Sequence, residues 1–110
     1  MKTKTLSRAA LEIVAARFRA LGDASRLQLL QHLFHSEKSV QELCDLTTLS
    51  QANVSKHLSL LSEHGILNKR RQGSFVYYRI GDETIYQLCE LVCGAVGKQY
   101  GRVMEELAGH

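Results

Sequence analysis

Hydrophobic side chains recur at helical spacing through most of the chain. In the first segment they stand at Leu11, Val14, Phe18 and Leu21. Intervals of three and four residues place all four on one face of a helix. Ser7 is suited to cap the start of this helix and Gly22 to end it, so the pattern predicts a helix over about residues 7–21.

A second helix is expected directly after Gly22, with Asp23 as its N-cap. We place four of its apolar residues on the core side: Leu27, Leu30, Leu33 and Phe34. The segment Ser39-Val40-Gln41-Glu42 has the form of a capping box and opens a short helix that ends near residue 46. After a tight turn at residues 47–49, Ser50 caps a further helix that runs to about residue 64.

The periodicity changes after residue 65. Two short runs, residues 66–71 and 75–80, flank Gln72-Gly73-Ser74, and the second run has the aromatic and β-branched content of a strand. Gly73 supplies the positive φ of a hairpin turn. A last helix over about residues 82–107 is predicted, with an apolar face at near-heptad spacing that suits packing along another helix. That face comprises Ile85, Cys89, Val92, Val96 and Val103.

These elements predict a mainly α-helical fold with a small β-hairpin (α+β), in which all 110 residues form a single domain. A short helix, a turn, a second helix and a hairpin in this order are typical of a winged helix-turn-helix. The helix-turn-helix lies at about residues 39–64 and the wing at about 66–80. The Ser50 helix would then be the one that enters the major groove of DNA.

Composition restricts the alternatives. No window approaches 18 consecutive apolar residues, so no membrane helix is expected. The basic N-terminus leads into a polar helix and is not a secretory signal, so we expect a cytoplasmic protein with no membrane partner. Three scattered cysteines do not make a disulfide scaffold. We find no Cys-x-x-Cys, phosphate-binding loop or nucleophile–base pair, and we expect no enzymatic activity.

The net charge of +3 is unevenly distributed. Residues 46–81 hold five basic and one acidic side chain, whereas residues 82–110 hold two basic and five acidic ones. Placed at intervals of about 100°, Val54, Leu58 and Leu61 fall within an arc of about 60° that defines the core side of the Ser50 helix. Small and polar residues occupy its opposite face, margins and first turn. The candidate DNA contacts, including the basic run of the hairpin, are Ser50, Gln51, Ala52, Asn53, Ser55, Lys56, Ser59, Lys69, Arg70, Arg71 and Gln72.

The chain resembles the ArsR/SmtB-type repressors over about residues 17–90. Ser-Gln-x-x-Val-Ser-x-His-Leu at residues 50–58 is the most specific part, and Ala24 stands where that family usually has Pro. The other matching segments are residues 21–27, 40–43, 65–67 and 76–80. The resemblance implies a homodimer built on the first and last helices. It also implies repression by binding double-stranded operator DNA and release when a small inducer binds or modifies the protein.

The family's two best-known metal sites are largely absent. The Cys-x-Cys-x-x-Cys string of arsenite- and cadmium-type members aligns with Ser39, Gln41 and Cys44, so that only the last thiol is kept. The zinc-type site in the last helix aligns with Asp82, followed by Thr84, Ala95 and Lys98. One carboxylate cannot supply the four ligands that zinc prefers.

Three candidate sensor thiols remain: Cys44, Cys89 and Cys93. The last two are four residues apart and lie on one helix face. They could bind a soft metal ion or metalloid such as arsenite, with Cys44 as a third ligand. Alternatively, one of them could pair with Cys44 in a disulfide or polysulfide bridge after exposure to an oxidant or sulfane sulfur. The thiols could also be no more than small buried hydrophobic groups. We interpret His57 as a partly buried structural histidine that does not read bases, and His32 and His35 as structural or surface residues.

The leading hypothesis is therefore a DNA-binding repressor that responds to an inducer at its cysteines. The alternative is a winged-helix module that serves only for dimerisation or protein interaction and senses no inducer. Lys56, Arg70 and Arg71 argue for the first.

Overall fold

The computed structural model describes residues 5–101 and 105–106, and it contains five helices and a three-stranded antiparallel sheet. The helices are α1 (Arg8–Leu21), α2 (Ala24–Leu33), α3 (Val40–Leu46), α4 (Gln51–Glu63) and α5 (Glu83–Gln99). The strands are β1 (Lys38–Ser39), β2 (Leu67–Gln72) and β3 (Phe75–Ile80). This arrangement confirms the predicted fold class.

The predicted helix starts are confirmed, because the side chain of each N-cap residue accepts a hydrogen bond from a backbone N–H of the first turn. The capping residues are Ser7, Asp23, Ser39, Ser50 and Asp82. At Ser39 the bond is reciprocal, since its own N–H donates to Glu42 Oε1 at 2.9 Å. Helix α5 ends at Gln99 with Tyr100 as its C-cap. Val103 and the predicted end at residue 107 lie outside the described residues.

The sheet has the order β1-β3-β2, and it contains a strand that the sequence pattern did not predict. That strand, β1, is only two residues long and pairs Lys38 with Tyr78 and Ser39 with Tyr77. The hairpin turn is also shorter than predicted. Gln72 pairs with Phe75 and belongs to β2, so the turn is Gly73-Ser74, with Gly73 at φ 62°. A Gly at the first central position is the arrangement of a type II′ turn.

The core gathers leucines from α2, α3 and α4 around the base of the hairpin. Val54, Leu58 and Leu61 are all fully buried, which confirms the predicted core side of α4. The prediction for α2 is wrong at one position: Leu27 is 41% exposed, and Leu29 is buried instead. The reason is packing, because α2 turns its 29–30–33 side to the core while Leu27 lines a groove between α2 and α5.

Helices α1 and α5 leave apolar side chains exposed in the single chain. On α1, Phe18 is 57% exposed, and Leu11 and Val14 are exposed as well. On α5, Leu91 is 73% exposed. An apolar groove of about 190 Å³ lies between the two helices, lined by residues that include Val14, Phe18 and Leu88. Within the chain, the salt bridge between Arg17 Nη1 and Asp82 Oδ2 (3.0 Å) joins α1 to the start of α5.

Candidate nucleic-acid interface and thiol groove

The first turn of α4 leaves a row of small and polar side chains in solvent. Ser50 Oγ accepts from the Asn53 N–H at 3.2 Å, which starts the helix. The preceding turn is held by Thr47, whose hydroxyl donates to the Leu43 carbonyl at 2.8 Å. Six of the candidate contacts on this helix are exposed: Ser50, Gln51, Ala52, Asn53, Lys56 and Ser59. Ser55 is half-buried. The side of α4 opposite the core is therefore accessible over about two turns.

The candidate residues of the wing all lie on β2 and are exposed: Lys69, Arg70, Arg71 and Gln72. Because side chains alternate along a strand, Lys69 and Arg71 point to one face of the hairpin and Arg70 and Gln72 to the other. Lys69 and Arg71 form no salt bridge with any residue that the structure describes. Their charges are thus available to a ligand.

Arg70 differs from its two neighbours because it is bound to a carboxylate. Its guanidinium forms a bidentate salt bridge with Glu37, with Nε at 3.0 and 3.1 Å from the two carboxylate oxygens. Nη1 also donates to Gln72 Oε1 at 2.7 Å, and the guanidinium carbon lies 4.7 Å from the centre of the Tyr77 ring. The Arg70 hydrogen bond lowers the pKa of Glu37 below its usual value of 4.5. Glu37 was not among the residues predicted for this surface.

Two of the three thiols share a groove. Cys89 and Cys93, together with Leu27, Phe34 and Tyr86, line a cavity of about 410 Å³ between α2 and α5. The rings of Phe34 and Tyr86 meet edge to face with centroids 5.0 Å apart. Burial, and secondarily the neighbouring Cys93, raises the pKa of the Cys89 thiol above 9.0. Cys89 therefore holds its proton at neutral pH.

Cys44 is placed apart from that groove. It lies on α3, half-buried against the core, and is not among the residues that line the cavity. Among residues 5–101 and 105–106, no three His, Cys, Asp or Glu side chains are grouped so that they could hold a metal ion. The structure of one chain thus does not bring the three predicted thiols together as a ligand set.

Asp82, the one residue that matches the family's zinc-type site, stabilises the start of α5. Asp82 Oδ1 accepts from the Thr84 hydroxyl at 2.6 Å and from the Thr84 N–H at 3.0 Å, and Oδ2 accepts from Arg17. These bonds, first that from the Thr84 hydroxyl, lower the pKa of Asp82 below 3.8. Ala95 and Lys98 are exposed on α5 and add no ligand.

No helix within the described part of the chain is long and apolar enough to cross a membrane.

A helix-turn-helix with an exposed second helix, followed by a basic hairpin, defines a winged helix-turn-helix regulator. Comparison with known proteins identifies its family. Residues 23–69 match the model of the arsR family of bacterial regulatory proteins. The probable mercury resistance operon repressor of Streptomyces lividans is 38% identical over 80 residues, which span 73% of this chain and 64% of that protein. The arsenical resistance operon repressor of Bacillus subtilis (strain 168) is 33% identical over 82 residues, or 70% of this chain and 76% of that one.

Solved structures agree with these sequence matches. The solution structure of the homodimeric winged helix-turn-helix DNA-binding domain Mb0332 from Mycobacterium bovis, a possible ArsR-family regulator, superposes with a TM-score of 0.74 at 31% identity. The match covers all of this chain and 96% of that one. The chain belongs to the ArsR family, whose members are DNA-binding regulators of transcription and not enzymes. The matched region spans 64%, 58% and 37% of the length of three curated relatives.

The Glu37–Arg70 salt bridge gives a direct test of the wing geometry. In Arg70→Gln, the pKa of the Glu37 carboxyl should rise towards 4.5, because the charged form loses its hydrogen-bond donor. An NMR titration of the Glu37 side-chain carboxyl measures this shift. Arg71→Gln removes the same charge from the other face of β2 and serves as the control. An equal rise in both variants would mean that the long-range charge of the wing, and not the bidentate contact, holds the pKa down.

Proposed function

We propose that the protein is a homodimeric transcriptional repressor that binds operator DNA through α4 and the wing. An inducer acting on its cysteine thiols would then release it from the DNA. The observation that carries this proposal is the division of α4 into a fully buried side and an exposed polar side, next to a basic hairpin. We place its action in the cytoplasm, where the operator lies.

The exposed side of α4 has the chemistry that the major groove requires. Gln51 and Asn53 carry amides that can pair with base edges, and Lys56 can bind a phosphate or a guanine. Ala52 and Ser59 are small enough to permit close approach of the helix to the bases. The free N–H groups at the start of α4 add attraction for a phosphate.

The wing contributes positive charge for binding phosphates more than it contributes contacts with the bases. Lys69 and Arg71, free of salt bridges to the rest of the described chain, are placed to contact the DNA backbone. Arg70 must first exchange its contact with Glu37 for one with a phosphate. We therefore assign the larger share of phosphate binding on β2 to Lys69 and Arg71.

Dimerisation through α1 and α5 accounts for the apolar side chains that one chain leaves in solvent. Phe18 on α1 and Leu91 on α5 are large and exposed. Of the near-heptad face predicted on α5, Val92 is also exposed, whereas Ile85 is buried in the core of its own chain. The relative from Mycobacterium bovis is described as homodimeric. A two-fold dimer would present two copies of α4 to successive major grooves, about 34 Å apart.

The inducer chemistry follows from where the thiols lie. Cys89 and Cys93 face an open groove that a small molecule can enter. The Cys89 thiol, whose pKa is raised by burial, reacts slowly with peroxide, because that reaction needs the thiolate. A soft metalloid or metal ion can displace the thiol proton on binding. This favours metalloid binding at Cys89 and Cys93, whereas a sulfur or disulfide bridge to Cys44 requires the thiols to approach each other.

Operator binding is tested with Lys56→Ala and Arg71→Ala. Both variants should bind DNA from the gene's own upstream region more weakly. Arg71→Ala should also weaken binding to random DNA, with the slope of log affinity against log salt reduced by about one. Lys98→Ala, which removes a charge from the far end of α5, is the control. Unchanged affinity at low salt in both test variants would contradict this interface.

The dimer is tested with Phe18→Glu, which places a charge in the exposed apolar face of α1. Sedimentation equilibrium should give about twice the 12.3 kDa chain mass for the unaltered protein and the single-chain mass for the variant. Phe75→Glu is the matched control, because Phe75 is as exposed as Phe18 but lies at the turn of the wing. A dimer that survives Phe18→Glu would exclude this face as the seam.

The inducer site is tested by intact mass spectrometry combined with operator release. We expect arsenite to add bound metalloid to the chain and to release DNA, and Cys89→Ser or Cys93→Ser to abolish both effects. Tetrasulfide, peroxide and zinc are compared in parallel, and Cys44→Ser is the control thiol. An added sulfur bridge that requires Cys44 would establish the alternative chemistry. No mass change with any reagent would refute thiol sensing.

A further inference from the structure

Arg26, in the first turn of α2, is bonded to two other helices at once. Its Nε donates to the Ala20 carbonyl at 2.6 Å, and Nη2 donates to the Arg19 carbonyl at 3.2 Å. Nη1 lies 3.3 Å from Nδ1 of His57, which is in the middle of α4. A single half-buried guanidinium thus connects the end of α1 with α4, across 31 positions of sequence to His57.

The contacts on the α1 side are those that a helix end favours. The last carbonyls of a helix have no partner within it and carry partial negative charge, so a cation placed there is stabilised. Ala20 is buried, and its carbonyl receives a charge-assisted hydrogen bond from Arg26. This end of α1 is therefore fixed in relation to the start of α2.

The contact on the α4 side suits one tautomer of the histidine ring. Arginine stays protonated in proteins and has only N–H donors. In this contact Nδ1 of His57 can only accept, so the contact fits the tautomer that carries its proton on Nε2. The hydrogen bond from the Arg26 N–H, followed by the charge of the Arg26 side chain, lowers the pKa of the Asp23 carboxyl. The Asp23 carboxylate offsets part of the charge of Arg26.

We propose that Arg26 is a positioning residue for operator binding, which holds α4 at a fixed place relative to α1 through His57. The inference rests on the proposed function, in which α1 forms the dimer seam and α4 reads DNA. A dimer matches its operator only if the distance between its two copies of α4 equals the half-site spacing. That distance depends on how α4 is fixed to the seam, and Arg26 makes polar contacts with both α1 and α4.

The first test is the tautomer of His57, measured by ¹⁵N NMR on the unaltered protein at pH 7.5. The proposal requires the proton on Nε2. The ¹⁵N chemical shift of Nδ1 should then be that of an unprotonated nitrogen that accepts a hydrogen bond. Arg26→Lys keeps the charge but loses the three nitrogen donors of the guanidinium. The His57 ring should then return to a mixture of tautomers. His32 and His64 in the same spectra are the reference rings. A proton found on Nδ1 of His57 in the unaltered protein overturns the proposal.

The second test measures DNA affinity. Arg26→Lys should bind the operator about tenfold more weakly, because the distance between the two copies of α4 is no longer fixed. Binding to random DNA and the slope of log affinity against log salt should stay unchanged, because the charge is kept. Arg19→Gln removes an exposed charge next to the network and should alter only the salt-dependent part. Operator affinity of Arg26→Lys within twofold of the unaltered protein overturns the proposal and leaves the repressor function standing.

A matched pair at position 57 keeps the inference testable if the Arg26 variant does not fold. His57→Asn retains an acceptor close to the place of Nδ1, whereas His57→Leu has none. Asn should preserve specific binding and Leu should lose it, and equal operator affinities in the two variants count against positioning. Failure of the unaltered protein to bind its upstream DNA would refute the repressor function, and the positioning role with it.

Discussion

The structure depends on the complete burial of one side of α4. Val54, Leu58 and Leu61 are inaccessible to solvent, and they pack among leucines from α2 and α3 beneath the hairpin. Because three to four residues make a helical turn, burying these positions forces the residues between them outward. The same constraint that stabilises the core therefore produces the exposed polar row from Gln51 to Ser59. The proposed recognition surface costs the fold little, because no apolar residue has to be moved out of the core to form it.

Local signals in the sequence were enough to predict the helices, because caps and periodicity act over three or four residues. These local signals failed where a feature of the structure depends on residues that are distant in the sequence. Strand β1 has two residues, too few to show alternation, and it exists only because β3 offers it a partner. Leu27 has the same local pattern as a core residue, but the direction in which α2 packs leaves it at the groove. A pattern of hydrophobic positions identifies an apolar face without saying how wide its buried part is.

The exposed residues of the candidate site were proposed one by one from the sequence. The contacts between side chains around them were not predicted. Lys56 and the basic run of β2 stand out because residue type and position suffice to suggest them. Glu37 and Arg26 do not, since their partners Arg70 and His57 lie 33 and 31 positions away. Such pairs arise from tertiary packing and leave no local pattern in one sequence. The groove of Cys89 and Cys93 is similar: spacing predicted that the two thiols share a helix face, and only the fold shows that α2 forms the opposite wall.

Ser39 belongs to two elements at once. It is the last residue of β1, paired with Tyr77 of the hairpin, and it is also the residue that begins α3. Its side chain is almost fully enclosed, at 5% exposure, and holds the first turn of that helix. Ser39 therefore couples the wing to the helix-turn-helix, because the backbone pairing of β1 with β3 and the cap of α3 meet at this one residue. A substitution here would disturb the edge of the sheet and the start of α3 together.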